Sequence, residues 1–386
     1  MKSNYNQLGQ YIEMVSRTNS DLKYGIEDVR GCSNTKQMMQ TRANLIGRTY
    51  EKFIVLRPQE FVFNRRTTRN GEKIGMAYNN TDREYIFTND YVAFRVKQEY
   101  LDKLLPDYLY MFFCRDEFDR YARYKSTGSA TEFFNWEDMC AVPFEIPPMD
   151  FQQLVVNAYK VLNERIETKQ KINDNLATQA LTLFSDFVSH CSKKLEQRKL
   201  GDVIASANTG GDAIQKVPIV DYDTGIKCAR VGDITNAREY ASWAFCNASK
   251  SVYDNYKLQA GDILVTRTAT LGITQYIAKD ISAVYNNGLI RLKVDDTNAL
   301  SLYIYWAMKT SDFLNYINQM NSATSVRPNM KIDYLLNYQL SIPSIEEQTQ
   351  FTNAVEPLMK AISLNNDEIL KLSEFQAIIL TTLSSR

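Results

Sequence analysis

The sequence Ile-Pro-Pro-Met-Asp-Phe-Gln at residues 146–152 returns as Ile-Pro-Ser-Ile-Glu-Glu-Gln at residues 342–348. A long heptad pattern follows each copy, over residues 155–187 and 351–383. Its apolar positions alternate at spacings of four and three, which is typical of coiled-coil helices. Each pattern predicts a helix of about 50 Å, at ~1.5 Å per residue. Pro357 is expected to kink the second helix or to delay its start.

Each heptad pattern has a polar core position near its middle, Lys169 in the first and Asn365 in the second. If the helices pair antiparallel about a pseudo-twofold axis, their midpoints meet and Lys169 faces Asn365. A polar layer of this kind fixes the register and orientation of a coiled coil at a cost in stability. The alternative is that each helix packs on its own globular domain and turns its polar positions to solvent. The length of the patterns favours the antiparallel pair.

The rest of the chain also repeats, with Phe61-Val-Phe-Asn-Arg65 corresponding to Ile263-Leu-Val-Thr-Arg267. Both segments read as buried strands, and residues 104–124 and 299–319 read as one helix in each repeat. Short aromatic and β-branched runs alternate with Asn, Gly and Asp turns. The pattern predicts an α+β fold of two domains with curved, mainly antiparallel sheets, each followed by a long helix. The expected organisation is a domain at 1–150, a helix at 151–192, a domain at 193–345 and a helix at 346–386.

Composition indicates a folded chain without a uniform surface charge. Of 386 residues, 44% are apolar and 23% charged, and 45 Lys and Arg balance 45 Asp and Glu. Any polyanion site must therefore be local. The six cysteines form no CxxC pair, and no apolar run approaches the ~18 residues that span a bilayer. We expect a cytoplasmic protein with reduced thiols.

The sequence contains few of the residue patterns that catalysis requires. It has no phosphate-binding GxxxxGK[ST] loop, no GxGxxG, GxSxG or HExxH, and no Asn/Asp-Pro-Pro-Tyr/Phe tetrapeptide of amino-methyltransferases. His190 is the only histidine and lies in a polar stretch, so it is interpreted as a surface residue. We therefore expect neither a catalytic residue nor a metal site.

Basic and hydroxyl side chains follow the corresponding strands of the two repeats and suit phosphate contacts and guanine edges. A second cluster in each repeat combines small hydroxyls with a basic residue near the end of the helical stretch. Each cluster could also be an ordinary solvated turn. The predicted DNA-binding residues are Arg65, Arg66, Arg69, Lys73, Lys125, Thr127 and Ser129 in the first repeat, and Arg267, Thr268, Thr270, Ser325 and Arg327 in the second.

The duplicated domain and helix, entered through the Ile-Pro…Gln segments at 146–152 and 342–348, resemble the specificity subunit of type I restriction-modification systems. The resemblance covers essentially the whole chain. Gly-Asp-Ile-Leu-Val-Thr-Arg at 261–267 and the Leu-Gly pairs at 8 and 200 are also similar to that family. The first repeat departs from it, because Gln-Glu-Phe-Val at 59–62 stands where the second has Gly-Asp-Ile-Leu.

The resemblance implies a noncatalytic phage-defence subunit that reads a split DNA target with two target recognition domains. The paired helices would act as a ruler between the half-sites. Two modification subunits would bring S-adenosylmethionine-dependent adenine methylation, and restriction subunits would bring ATP-driven translocation and cleavage. No cofactor is expected on this chain itself.

Two alternatives remain open at the level of sequence. The chain could serve another DNA-methylation or phage-defence assembly while keeping DNA recognition. It could also be a coiled-coil scaffold whose globular repeats bind protein. Phosphate contacts give a salt dependence of DNA binding that a scaffold lacks.

Overall fold

The computed structural model describes residues 6–41, 45, 47–67, 73–128, 131–191, 195–210, 219–323 and 329–383, without the side chains of 320–323. The chain divides into two compact units. The first comprises residues 1–165 and 372–386, and the second comprises residues 166–371. Each unit therefore contains one globular part and a portion of both long helices.

The described elements of the first globular part are eight strands and three helices, followed by a long helix. In chain order they are β1 (Ile12–Val15), β2 (Arg30–Cys32), β3 (Met38–Gln40), β4 (Ile54–Leu56), β5 (Phe61–Asn64), β6 (Met76–Tyr78), β7 (Tyr85–Phe87), β8 (Tyr91–Val96), α1 (Pro106–Phe113), α2 (Asp116–Lys125), α3 (Trp136–Cys140) and α4 (Met149–Cys191).

Four of these strands form an antiparallel sheet in the order β1-β8-β5-β6. Phe61 of β5 lies opposite Phe94 of β8, and their rings stack at 5.0 Å between centroids. Phe113 of α1 meets Phe94 edge-to-face at 5.8 Å, so the helix covers this face of the sheet. Fully burying each such ring contributes about 1.5–3 kcal/mol, which places the core of the first unit between the sheet and α1.

The described elements of the second globular part are ten strands and five helices, followed by the second long helix. They are β9 (Glu196–Lys199), β10 (Ile204–Thr209), β11 (Ile219–Val220), β12 (Lys227–Ala229), α5 (Val231–Thr235), β13 (Phe245–Cys246), α6 (Lys250–Tyr256), β14 (Ile263–Thr266), β15 (Thr274–Tyr276), β16 (Ala283–Tyr285), β17 (Leu289–Val294), α7 (Ser301–Ala307), α8 (Ser311–Ala323), α9 (Ile332–Leu336), β18 (Gln339–Ile342) and α10 (Ile345–Thr382).

The second unit repeats the sheet of the first, with the antiparallel order β10-β17-β14-β15. Ile263 of β14 lies opposite Leu292 of β17, as Phe61 lies opposite Phe94. A separate sheet contains the parallel pair β12 and β16. The predicted α+β fold with mainly antiparallel sheets is confirmed.

Each repeat contains two short helices where the sequence predicts one over 104–124 and 299–319. That prediction is wrong, because α1 gives way to α2 around Cys114 and α7 gives way to α8 over 308–310. The break brings Phe113 and Phe118 to 4.8 Å between ring centroids in one core. Residues five apart on an unbroken helix do not face each other in this way.

A buried glutamine explains the Ile-Pro…Gln segments. The Gln152 side chain is fully buried, accepts from Leu105 N at 2.9 Å, and donates to Lys103 O at 2.7 Å and Pro147 O at 2.8 Å. In the second unit, buried Gln348 accepts from Leu300 N at 2.8 Å and donates to Pro343 O at 2.9 Å. Each glutamine therefore ties the start of its long helix to the segment before α1 or α7.

The Leu-Gly pairs hold equivalent places at the start of each repeat. Leu8 N donates to Val142 O at 2.9 Å, and Leu200 N donates to Tyr338 O at 2.8 Å. A Cβ on Gly9 would lie 2.7 Å from Cys140 Cβ, and one on Gly201 would lie 3.3 Å from Leu336 Cβ. Both glycines therefore permit a close backbone approach.

The long helices pair antiparallel within each unit. In the first unit Gln376 on α10 contacts Asn163 on α4. In the second unit the Phe184 and Phe351 rings meet at 5.3 Å between centroids. Helix α10 starts at Ile345 and continues through Pro357, so the expected delay of its start is wrong. Among the described residues, no helix is long and apolar enough to cross a membrane.

Candidate nucleic-acid interface

The loop after β5 in the first unit is joined to the segment after α2 by backbone hydrogen bonds. Thr127 and Phe133 exchange N–H···O bonds of 3.1 and 2.9 Å. Phe134 N donates to Arg65 O at 2.9 Å, and Thr67 N donates to Glu132 O at 3.0 Å. The two clusters predicted separately from the sequence are therefore one surface, which we call the first basic surface (Arg65, Arg66, Lys125 and Thr127).

The guanidinium groups of the first basic surface point into solvent. The Arg65 side chain is exposed and lies over the Phe133 ring at 5.7 Å from the centroid. Arg66 is 59% exposed, and its Nη2 lies 3.5 Å from the equally exposed carboxylate of Asp90. A surface pair of this kind contributes ~0–1 kcal/mol and can be exchanged for another anion. Both arginine side chains therefore lie exposed on the first basic surface.

Lys125 and an unpredicted aromatic neighbour extend the first basic surface. The Lys125 Nζ lies 5.9 Å from the centroids of the Tyr121 and Tyr124 rings. Tyr124 is 83% exposed, which is unusual for so large a ring. Its sequence position beside two basic residues could have identified it, because aromatic rings next to cations suit stacking on nucleic-acid bases.

Lys73 belongs to a part of the first unit with more acidic neighbours. Its Nζ lies 3.6 Å from Asp116 Oδ1, and both side chains are exposed. Close by, the buried Lys36 contacts the Asp119 carboxylate and donates to Ile74 O at 2.9 Å. Burial lowers the pKa of Lys36, and the Asp119 carboxylate opposes that shift. This buried pair fixes the chain just after Lys73.

The equivalent loop of the second unit is built differently. Arg267 O accepts from Met330 N at 2.8 Å, as Arg65 O accepts from Phe134 N. The Arg267 guanidinium is half-buried, however, and donates from Nε to Met330 O at 3.1 Å. Its Nη1 donates to the backbone and side-chain oxygens of Asn287 at 3.2 and 3.1 Å. Arg267 thus holds three segments together, and fewer of its donors remain for DNA.

The hydroxyl residues after Arg267 are presented by a tight loop. Thr268 forms a backbone bridge with Asn329 and is half-buried, whereas Thr270 is exposed. Ala269 between them has a φ of 63° and Gly272 a φ of 77°. Two left-handed residues in four give a sharp turn that presents the Thr270 side chain to solvent.

Four predicted contact residues lie outside the described residues, and their roles stay predictions. They are Arg69, Ser129, Ser325 and Arg327. Asn287, which precedes Gly288, was not predicted from the sequence as a partner of Arg267. Among the described residues, no cluster of three His, Cys, Asp or Glu side chains could hold a metal ion.

The departure of the first repeat at residues 59–62 concerns the backbone rather than the predicted DNA contacts. Gln59 has a φ of 64°, and the corresponding Gly261 has a φ of 87°. The carboxylate one residue later caps the same turn in both repeats: Glu60 accepts from Arg57 N and Asp262 accepts from Gln259 N, each at 2.8 Å. Gln59 therefore adopts a left-handed conformation that glycine adopts at lower cost.

A network of polar side chains crosses the paired helices in the second unit. Lys169 Nζ donates to Asn365 Oδ1 at 3.0 Å, so the predicted facing pair is in contact. Asn365 donates to Asn173 at 2.8 Å, and Asn173 donates to Asn366 at 2.7 Å. Asn366 then donates to Glu239 of the globular part at 2.7 Å, and burial raises the pKa of that carboxyl. The role of Lys169 and Asn365 in fixing the register stays a prediction.

Residues 192–374 match a protein family described as the type I restriction modification DNA specificity domain. The first unit has the same sheet order and the same buried glutamine as this matched region. Residues 192–374 therefore belong to the type I restriction-modification specificity family. No curated protein matches this chain.

Solved structures of specificity subunits are similar over almost the whole chain. The S subunit of a type I restriction-modification system from M. genitalium is 13% identical, with a TM-score of 0.51, over 98% of this chain and 96% of that one. The HsdS subunit from Thermoanaerobacter tengcongensis is 16% identical, with a TM-score of 0.34, over 98% and 95%. At such identity the first likeness shows that the specificity-family fold is shared.

Proposed function

We propose that this type I specificity subunit reads a split DNA target, with each globular part binding one half-site and the two long helices setting the distance between the half-sites. The observation that carries the proposal is the duplicated four-stranded sheet, which has an arginine-led loop in the same position in both copies. Two equivalent loops on one chain suit two separate short tracts of base pairs.

The two half-sites are proposed to be read with different chemistry. In the first unit the exposed Arg65 and Arg66 suit phosphates or the O6 and N7 acceptors of guanine. In the second unit the half-buried Arg267 acts mainly as a support, and the exposed Thr270 is the group nearer to DNA. The first half-site should therefore carry more of the salt-dependent binding.

The catalytic steps are proposed to lie on partner subunits, with S-adenosylmethionine bound by two modification subunits and ATP by restriction subunits. This chain would then act as a noncatalytic, cytoplasmic component. Exposed apolar side chains on the long helices are the proposed contacts of the modification subunits. In the first unit, Leu154, Val161, Phe375 and Ile378 are 68%, 62%, 56% and 56% exposed and line one groove with other apolar residues.

To test the proposal, the subunit is purified with its native partners and used to select the DNA duplexes that it binds from a pool of randomised sequence. We expect two short fixed tracts separated by unselected base pairs of constant number. A linear fall of log Kobs with log salt, of about 0.9 per phosphate contact, should accompany binding. Enrichment of one continuous tract would refute split reading. Absence of both enrichment and salt dependence would favour the protein-binding scaffold.

A further inference from the structure

The first unit contains a cavity of about 610 Å³ beside the end of α10. Aromatic rings of Tyr108, Phe112, Phe144 and Phe151 line it, together with the Ile146-Pro-Pro turn, and Leu383 closes one side. The volume is several times that of a phenyl ring, and the walls combine aromatic rings with polar groups. A cavity of this size and composition is typical of a binding site rather than of a packing defect.

A guanidinium that bonds two backbone carbonyl groups, and no carboxylate among the described residues, lies in the wall of this cavity. Arg115 donates from Nε to Phe112 O at 3.1 Å and from Nη1 to Leu383 O at 3.0 Å, and it stacks on the Phe112 ring at 3.9 Å. Within the described residues its Nη2 has no hydrogen-bond partner and the group forms no ion pair. Burial lowers the pKa of Arg115, and the nearby Glu117 carboxylate opposes that shift, as expected for a partly desolvated cation.

One acid also lies in the wall. Glu145 lines the cavity, but its side chain is exposed and forms no ion pair with Arg115 among the described residues. Since both carbonyl partners of Arg115 are neutral, the guanidinium keeps its full charge and still has donors for an anion.

The second unit shows what fills the equivalent place. Phe187, which corresponds to Leu383 in the heptad pattern, packs on Phe351 at 5.4 Å and on Tyr303 at 6.3 Å between ring centroids. Thr310 corresponds to Arg115, and its hydroxyl donates to Ala307 O at 2.8 Å. The first unit therefore has the smaller, buried Leu383 where the second has Phe187, and it has the cation of Arg115 where the second has Thr310.

We propose that this cavity binds a segment of a partner polypeptide that carries an aromatic side chain next to a carboxylate. The ring enters the cavity beside Leu383, among the aromatic rings of its wall, and the carboxylate accepts hydrogen bonds from Arg115. The site concerns protein binding and does not require the proposed reading of DNA. Its test contains no DNA, so failure of one proposal leaves the other standing.

The first probe is 3-phenylpropionate, titrated into the full chain and followed by ligand-observed NMR and calorimetry. We expect saturable binding at one site with a Kd on the order of 1 mM. Arg115→Met should weaken binding at least tenfold, and Leu383→Trp, which fills the cavity, should abolish it. The neutral 3-phenylpropan-1-ol should bind at least tenfold more weakly. Equal affinity of the chain and both variants, or no binding to any of them, would overturn the proposal.

A matched control exists in the second unit. Phe187→Ala opens the equivalent space there, but Thr310 stands in place of the arginine. We expect the stoichiometry to remain one, and a second site of equal affinity would show that the guanidinium does not select the ligand. Unchanged hydrogen exchange in β5 and β14 would show that each variant keeps its fold.

The second probe is the peptide acetyl-Ala-Ala-Phe-Glu-Ala-Ala-amide, which distinguishes a polypeptide from a free acid. It should compete with 3-phenylpropionate, and versions with Phe→Ala or Glu→Gln should compete at least tenfold more weakly. Binding of the free acid without competition by the peptide would reject a polypeptide as the occupant.

Discussion

Removal of the buried Gln152 side chain should destabilise the first unit selectively. The amide makes hydrogen bonds of 2.9, 2.7 and 2.8 Å to one backbone N–H and two carbonyl groups. In Gln152→Ala these three groups lose their partner in a buried site, at about 1–3 kcal/mol each before any water enters. We expect a loss of about 3–5 kcal/mol in the free energy of local opening around α1 and the start of α4.

Hydrogen exchange measured by mass spectrometry resolves the effect by segment, which matters because the two units need not unfold together. A loss of ~3 kcal/mol corresponds to a more than 100-fold increase in exchange of protected amides near Leu105. Gln153→Ala is the matched control, since that side chain is exposed and bonds only Asn157, at 2.8 Å. Gln348→Ala should produce the corresponding change only in the second unit. If Gln152→Ala and Gln153→Ala gave the same exchange, the proposed role of the glutamine would be refuted.

Four further perturbations test other parts of the structure. Arg66→Ala should lower the salt slope of DNA binding by about one unit and change stability little. Arg267→Ala should cost ~2–4 kcal/mol of stability in the second unit, because its hydrogen bonds are lost. Equal urea midpoints for the two variants would contradict this difference. Gln59→Gly should raise stability by about 1 kcal/mol, because the left-handed backbone no longer carries a Cβ, and a lower urea midpoint would argue against it. Inserting one heptad into both α4 and α10 adds ~10 Å of helix, which should lengthen the unselected DNA between the half-sites by about three base pairs. If a complex that still binds DNA kept the same spacing, the helices would not set the distance between the half-sites. Burial lowers the pKa of Lys309 to about 8. Between pH 8 and 9.5 the unfolded chain therefore binds more protons than the folded one, so the stability of the chain relative to Lys309→Met should rise with pH. A difference in thermal midpoints that does not change with pH would refute the lowered pKa.

The sequence predicts those features of this fold that produce a regular spacing of apolar residues. The heptad patterns locate α4 and α10 to within a few residues. The contact between Lys169 and Asn365 follows from their central positions in the two patterns. The buried strands around Phe61 and Ile263 are likewise visible as apolar runs bounded by turns. These predictions succeed because burial on one face imposes a pattern on neighbouring residues.

Long-range polar contacts were not predictable in the same way. The pairing of Thr127 with Phe133, which unites two basic clusters into one surface, depends on backbone atoms and leaves no pattern of side chains. The half-buried state of Arg267 depends on Met330 and Asn287, which are distant in sequence. The sequence around an arginine that follows a buried strand is the same whether the guanidinium faces solvent or supports a loop. The candidate interface therefore stays a prediction from the sequence, while the structure shows which of its arginine side chains are exposed and which is half-buried.

The differences between the two repeats are concentrated in side chains that the shared framework does not need. Gln152 and Gln348 make the same junction, and Leu8 and Leu200 lie just before the first strand of the same sheet, so these contacts stabilise the shared framework. The exposed Arg65 and Arg66 add little to that stability, because surface ion pairs contribute ~0–1 kcal/mol. Such residues can change while the sheet order and helix junctions persist. A chain built in this way can acquire different half-sites in its two units without a loss of folding stability. Substitution of Arg267 is the exception, because its guanidinium supports three segments and its loss would lower the stability of the second unit.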